Sequence, residues 1–243
     1  MLSTPTPDTF VVVEGVLREE ETNAPATVPT TLHATELNCA PFTSETTEIA
    51  NIGRGTIPTC LGGLTQLTML RLSLDRLTGT IPSELGDLTA LEDLDLWSNE
   101  LTGGIPSELG DLAALRSLNL NGNPLTGSIP SVLGYLTSLT YLNVGGNELT
   151  GTIPSELGNL TALTFLGLFI SELTGTIPSE LGNLTALEIL GLQYNQLTGA
   201  IPSALGDLTA LTWLRLDQNQ LTGTIPTWVS RIRPNGVSEN NLS

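Results

Sequence analysis

A unit of 24 residues recurs along most of this 243-residue chain, and this repeat constrains the fold more than any other feature. Aligned on its opening Leu, the unit reads L-T-x-L-x-L-x-x-N-x-L-T-G-x-I-P-S-x-L-G-x-L-T-A. Seven consecutive copies occur without insertion or deletion, beginning at Leu67, Leu91, Leu115, Leu139, Leu163, Leu187 and Leu211. One unit cannot bury its Leu face alone, so neighbouring coils must stack around one continuous core.

Each segment of the unit predicts a local structure. The opening L-x-x-L-x-L alternates inward and outward positions, which indicates a short strand whose stacked copies form a parallel sheet. An Asn follows most strands, and its side chain is expected to bond backbone groups of its own and the neighbouring coil. Asp75 and Ser171 replace this Asn in two units. L-T-G-x-I-P predicts a second extended segment, and S-x-L-G-x-L predicts a turn of 3₁₀ or short helix.

The motif Leu-Thr-Gly-x-Ile-Pro begins at Leu77, Leu101, Leu125, Leu149, Leu173, Leu197 and Leu221. Through this motif the chain resembles the plant-type leucine-rich repeat proteins from Thr56 to Leu242. The resemblance implies an α/β solenoid, a right-handed coil with a parallel β-sheet on its concave face and 3₁₀ or short helical turns on its convex face. It also implies a non-catalytic recognition module, similar to receptor-like ectodomains and polygalacturonase-inhibiting proteins.

The ends of the chain depart from the repeat. The predicted regions are a disordered Thr/Pro/Glu-rich tail (1–38), an N-terminal cap with a degenerate repeat (39–66), seven repeats (67–231) and a truncated last repeat (232–243). A strand at Phe10 to Leu17 is possible within the tail. In the cap, Thr46 and Glu48 stand where strand Leu residues are expected. Because the last coil stops part-way, we expect the sequence to be a fragment of a longer protein.

Composition excludes several classes of function. Acidic residues number 25 against 8 basic ones, all Arg, and the net charge of −17 argues against nucleic acid and anionic membranes as partners. The longest apolar run, Phe10 to Val13, is too short for a transmembrane helix. With one His and two Cys, the chain lacks the residues for zinc sites or Ser-His-Asp chemistry. We therefore expect no enzyme activity, no metal and no cofactor.

Aromatic residues concentrate at strand positions predicted to point outward, where six of the chain's ten lie. With nearby apolar and charged residues they define a candidate binding face for a protein, peptide or glycan. Its members are Tyr141, Phe165, Phe169, Ile170, Ile189, Tyr194, Trp213, Arg215 and Asp217. Ala at Phe165 or Trp213 is expected to weaken binding by about 2 kcal/mol with little change in fold stability. The alternative is a structural repeat array whose aromatics only tile the sheet.

Thr residues form a second regular surface, and this surface supports a rival hypothesis. Its members are Thr78, Thr80, Thr150, Thr152, Thr174, Thr176, Thr222 and Thr224. Such Thr-x-Thr grids are similar to those of solenoid ice-binding proteins, and some plant leucine-rich repeat proteins bind ice. Gly104 and Ala200 interrupt the grid, however, and Thr or Ser before this Gly is routine in the family.

Cysteines and sequons bear on the compartment. The resemblance implies a disulfide in the N-terminal cap, so Cys39 and Cys60 either bridge or are two free thiols. Asn159 and Asn183 lie in N-glycosylation sequons, which matter only if the chain is secreted. The N-terminus does not resemble a secretory leader. If the chain is a fragment, we expect an extracellular or cell-surface location; a cytoplasmic one is the alternative.

Overall fold

The structure is a computed structural model that describes residues 11–13, 16–18, 45–50, 53–232, 235–237 and 240–242. The chain divides into two compact units, residues 1–30 and residues 31–243. In the first unit, strands β1 (Val11–Val13) and β2 (Val16–Arg18) pair antiparallel. The rest of the tail predicted to be disordered lies outside the described residues.

The second unit is the predicted solenoid, and its larger sheet is entirely parallel. Within the described residues this sheet has nine strands, and each pairs with the strand of the next coil. They are β3 (Glu48–Ala50), β5 (Met69–Arg71), β7 (Asp93–Asp95), β9 (Ser117–Asn119), β11 (Tyr141–Asn143), β13 (Phe165–Gly167), β14 (Ile189–Gly191), β16 (Trp213–Arg215) and β18 (Asn235–Gly236). The Leu at the centre of β5, β7, β9, β11, β13, β14 and β16 is fully buried.

A second ladder of short parallel strands follows the Asn column. Its strands are β4 (Gly55–Thr56), β6 (Leu77–Thr80), β8 (Glu100–Thr102), β10 (Thr126–Ser128), β12 (Glu148–Thr150), β15 (Thr198–Gly199), β17 (Gln220–Gly223) and β19 (Asn241–Leu242). Where two neighbouring coils have no paired strands in this segment, a single parallel β-bridge joins them, as between Thr152 and Thr174. The L-T-G-x-I-P segment is therefore extended, as the sequence predicts.

Short 3₁₀ helices close the coils, again as predicted. They span Thr59–Gly63, Ser83–Asp87, Ser107–Asp111, Ser131–Tyr135, Ser155–Asn159, Ser179–Asn183, Ser203–Asp207 and Thr227–Arg231. An extended Pro precedes each of them. Pro suits this place because its fixed φ and missing N–H end the strand ladder at no cost in hydrogen bonds.

The Asn column clamps successive coils together. Asn123 Nδ2 donates to the carbonyl oxygens of Leu96 (3.0 Å) and Leu120 (3.1 Å), and Asn123 Oδ1 accepts from Leu101 N (3.1 Å). The same pattern occurs at Asn99, Asn147, Asn195, Asn219 and Asn240. These amides satisfy buried backbone groups that the turn would otherwise leave without partners.

The two end coils are each three residues short. Ile49 is buried and lies opposite Leu70, so Ile49 fills the strand position of the first coil. The expectation that Thr46 and Glu48 stand at the strand Leu positions is therefore wrong, because the coil is shorter than 24 residues. At the other end Gly236 lies opposite Arg215, so the unit between these two strands is also shorter than 24 residues.

Two further observations concern the cap and the membrane. Cys60 is disulfide-bonded, and Cys39, its proposed partner, lies outside the described residues. No helix within the described ranges has the length and apolar character needed to cross a membrane.

Candidate functional site

Four of the predicted site residues form one row across adjacent strands. Tyr141 lies opposite Phe165, Phe165 opposite Ile189, and Ile189 opposite Trp213. The rings of Tyr141 and Phe165 stack with their centroids 4.5 Å apart. Tyr141, Ile189 and Trp213 are half-buried. The row is thus a continuous line of apolar side chains across four strands, with Tyr141 at one end and Trp213 at the other.

Phe165 and Phe169 are buried, contrary to the prediction that they are exposed: they retain 5% and 1% exposure. Three glycines explain this burial. A Cβ on Gly145 would lie 2.9 Å from two ring carbons of Phe169, and one on Gly167 or Gly191 would lie 3.0 or 3.2 Å from that ring. Because these positions lack side chains, the ring of Phe169 has room to pack close to the backbone of all three coils. Because Phe165 is buried, the exposure on which the sequence-based expectation of unchanged stability depends is not found, and truncating Phe165 is now expected to destabilise the fold.

Charged residues close the far end of the row. The Arg215 guanidinium lies 5.9 Å from the centroid of the Trp213 ring, and its Nη2 donates to Asp217 Oδ2 at 2.7 Å. Asp217 is buried. The hydrogen bond from Arg215 to Asp217 raises the pKa of Arg215 further. The two charged residues of the predicted binding face are thus paired with each other.

Ile170 and Tyr194 belong to a column of residues in the left-handed conformation at the strand exits. The φ values are 62° at Leu74, 53° at Ser98, 69° at Gly122, 61° at Gly146, 50° at Ile170, 58° at Tyr194 and 56° at Gln218. A β-branched residue is unusual there, and the conformation costs L-residues about 1–2 kcal/mol. Our sequence reasoning missed this column, although Gly122 and Gly146 are its signal.

Two polar atoms on this face lack partners among the described residues. Ser171 Oγ has no hydrogen bond, and Ser171 stands in the place of a clamping Asn. Gln193 Oε1 also has none, and the side chain of Gln193 is 5% exposed. A Cβ on Gly191 would lie near Gln193 Oε1 as well as the rings of Phe169 and Trp213. Buried polar groups without partners reduce stability, and here they coincide with the candidate site.

The N-terminal half of the sheet face is charged rather than apolar. Arg71 Nη2 lies 2.6 Å from Asp93 Oδ2, and Arg116 Nε lies 3.4 Å from Glu92 Oε2. Burial raises the pKa of Asp95, whose Oδ1 accepts a hydrogen bond from Trp97 N at 3.0 Å. Within the described ranges, no three His, Cys, Asp or Glu residues come together as a metal site would need.

The Thr surface and the sequons are accessible. All eight predicted Thr residues are exposed. Several hydroxyls of the first column donate to the preceding coil, as Thr150 Oγ1 does to the Gly127 carbonyl oxygen at 3.4 Å and Thr174 Oγ1 does to that of Gly151 at 3.2 Å. Asn159 and Asn183 are exposed at the ends of their 3₁₀ helices.

Two family models, both described as leucine rich repeat, match this chain: one over residues 65–125 and 171–221, the other over residues 138–160. The chain belongs to the leucine-rich repeat family. Solved leucine-rich repeat structures resemble it closely. The plant peptide hormone receptor RGFR1 in complex with RGF2 is 34% identical with a TM-score of 0.74, over 82% of this chain and 37% of that one.

Two other solved structures bear on the hypotheses above. The leucine-rich repeat ectodomain of the plant membrane receptor kinase GASSHO1/SCHENGEN3 from Arabidopsis thaliana, in complex with CASPARIAN STRIP INTEGRITY FACTOR 2, is 38% identical with a TM-score of 0.68 (78% of this chain, 26% of that one). A plant ice-binding protein is 30% identical with a TM-score of 0.69 (80% and 64%). This leucine-rich repeat chain spans well under half the length of the two receptor structures. No curated protein matches its sequence significantly.

Proposed function

We propose that this leucine-rich repeat protein is a ligand-recognition module whose sheet face binds an extended peptide. The observation that carries the proposal is the apolar row from Tyr141 to Trp213, whose members lie directly opposite one another on four strands. Half-buried aromatic side chains on a broad face are typical anchors of protein recognition. The similarity to RGFR1, which was solved with RGF2, supports a peptide as the ligand.

The buried aromatics contribute rigidity rather than contact area. Phe169 is packed against the glycines of three coils, and Phe165 stacks on Tyr141. The exposed edges of Tyr141, Ile189 and Trp213 therefore rest on a fixed layer. A preorganised surface loses little side-chain entropy on binding, which favours affinity.

The proposal assigns binding and no catalytic step to this chain. Arg71, Arg116 and Arg215 on the sheet face are each engaged by a carboxylate. An extracellular or cell-surface location and a part in signal transduction belong to the same proposal, since the similar receptor structure from Arabidopsis thaliana is an ectodomain.

A selection from a random dodecapeptide library tests this function. Wild-type protein is expected to enrich a defined set of peptides, and Trp213→Ala is expected to weaken their binding by about ten-fold or more. Tyr135→Ala is the matched control, because Tyr135 is 67% exposed on the 3₁₀ helix Ser131–Tyr135. Failure to enrich any peptide, or an equal loss in the control, would refute the proposal.

Ice binding through the Thr surface is the second candidate. Exposure of all eight Thr residues and the likeness to a plant ice-binding protein favour it. An assay of ice recrystallisation separates the two functions. Inhibition by wild type that disappears in Thr150→Tyr/Thr174→Tyr, and survives in Trp213→Ala, would establish the Thr surface as the functional one.

A further inference from the structure

The stretch of sequence that carries the apolar row is rich in carboxylates and has no cation. Between Ser117 and Leu214 the sequence has no Lys, Arg or His, whereas it has six carboxylates, at Glu148, Glu156, Glu172, Glu180, Glu188 and Asp207. The nearest flanking cations, Arg116 and Arg215, are both held in ion pairs. The stretch from Ser117 to Leu214 therefore has no cation of its own to neutralise these carboxylates, and a partner can supply one.

Two of these carboxylates lie beside the strand exits of the candidate site. Glu148 and Glu172 occupy equivalent places in adjacent coils, and Glu172 N donates to the Leu149 carbonyl oxygen at 2.8 Å. Coils in such a ladder are spaced by about 4.8 Å. Both residues are exposed, and no described residue forms an ion pair with either. Two like charges at this spacing repel each other, and a bound cation would relieve that repulsion.

Two large apolar residues, Ile170 and Tyr194, occupy the exit turns of this coil and the next. Asn147 N donates to the Ile170 carbonyl oxygen at 3.2 Å, and Ser171 N donates to that of Tyr194 at 3.1 Å. The exit turns of the three coils are thereby held side by side. Tyr194 is 44% exposed. Ile170 and Tyr194 both adopt the left-handed conformation, and the two preceding coils have Gly122 and Gly146 at the equivalent position.

We infer that this exit edge, formed by Glu148, Ile170, Glu172 and Tyr194, binds a Lys or Arg side chain of the peptide, so that the ligand is basic. The aliphatic stem of such a side chain would pack on Ile170 and Tyr194 while its charged head meets the carboxylates. The net charge of −17 adds an attractive long-range field for a basic peptide. The inference rests on the proposed function, because it names the chemistry of that function's ligand.

The experiment starts from peptides that wild-type protein enriches in the dodecapeptide library. They are expected to be rich in Lys or Arg, and Glu148→Gln/Glu172→Gln is expected to weaken their binding by about ten-fold or more. The matched control is Glu156→Gln/Glu180→Gln, which makes the same charge change in the same two coils but in the 3₁₀ helices Ser155–Asn159 and Ser179–Asn183. The control is expected to bind within about two-fold of wild type.

The outcomes separate this inference from the function on which it rests. Peptides that are acidic or neutral, yet are lost by Trp213→Ala, would overturn the inference and leave the proposed function standing. Equal losses in the two double variants would also overturn it, since they would show a diffuse field rather than a site. If no peptide is enriched, both the proposed function and the inference fail.

Discussion

The ring of Phe169 fills the space in front of Gly145, where a Cβ would stand 2.9 Å from two ring carbons. Phe169 belongs to the coil that opens at Leu163 and Gly145 to the coil before it, so this contact joins two coils. The same two coils are joined by the stacked rings of Tyr141 and Phe165. Aromatic packing therefore fastens the coils at the point where Ser171 replaces a clamping Asn.

Truncating this ring should destabilise the fold. Phe169→Ala is expected to lower the free energy of unfolding by about 3 kcal/mol, because it leaves the three facing glycines without a packing partner. Urea denaturation followed by circular dichroism measures the change. Tyr135→Ala, on an exposed convex side chain, should stay within about 0.5 kcal/mol of wild type. A Phe169→Ala variant as stable as that control would contradict the packing described here.

Restoring the missing clamp should stabilise the solenoid. In Ser171→Asn the new amide has the backbone environment that Asn147 and Asn195 use in their own coils. We expect a gain of about 1 kcal/mol in the free energy of unfolding, since buried backbone groups acquire partners. Urea denaturation of the wild type and the Ser171→Asn variant measures this difference in the free energy of unfolding. A loss of stability would mean that Phe169 and its neighbours leave no room for the amide.

Ile170 should show opposite effects on stability and binding. Asn tolerates the left-handed conformation that Ile170 adopts at φ 50°. Ile170→Asn is therefore expected to unfold at a denaturant concentration equal to or above that of wild type, while its affinity for library-selected peptides falls about five-fold or more. Unaltered affinity would remove Ile170 from the binding edge, whatever the stability.

Asp95 should make stability depend on pH. Burial, and to a lesser degree the charge of Asp93, raises the pKa of Asp95 above its ordinary value. The folded chain then binds this proton more tightly than the unfolded chain, so ionisation of Asp95 costs stability as the pH rises through the raised pKa. That cost persists at neutral pH and vanishes in acid, where both states are protonated.

The variant Asp95→Asn removes this dependence. Its side chain can accept from Trp97 N as Asn119 and Asn143 accept from the backbone two residues on. Its thermal midpoint is expected to exceed that of wild type at pH 7, and the difference is expected to shrink as the pH approaches 3. A difference that grows on acidification would contradict the assigned direction of the pKa shift.

The spacing of residues in the repeat was sufficient to predict most of the fold. Strands, Asn clamps and 3₁₀ helices each depend on residues within one unit and its neighbour, and every unit repeats them. The strand of the first coil was not predicted correctly, because its single core residue is Ile49. A full unit of 24 residues would place that core residue three positions earlier. With no Leu pattern there, the shorter coil could not be recognised.

The site was only partly predictable for a different reason. The alternation of side chains along the strand correctly predicts that Phe165 and Phe169 lie outside the main core. A side chain that points away from the core can still be covered by its neighbours, and both of these are buried. Whether Phe169 is covered depends on Gly145, Gly167 and Gly191, which belong to three different coils. The conformation of Ile170 likewise follows from the path of the whole turn rather than from its own preference.

The position of Ser171 also sets how the solenoid would respond to tension. Each clamping Asn ties a coil to the one before it, as Asn147 does through Leu120 and Leu125. No such tie exists at Ser171 Oγ, so the solenoid has a seam between the coils that open at Leu139 and Leu163. The seam runs between Tyr141 and Phe165, through the candidate face itself. A force that stretches the solenoid would therefore load the Phe169 ring and the stack of Tyr141 on Phe165 at this seam, where other coils load an Asn clamp.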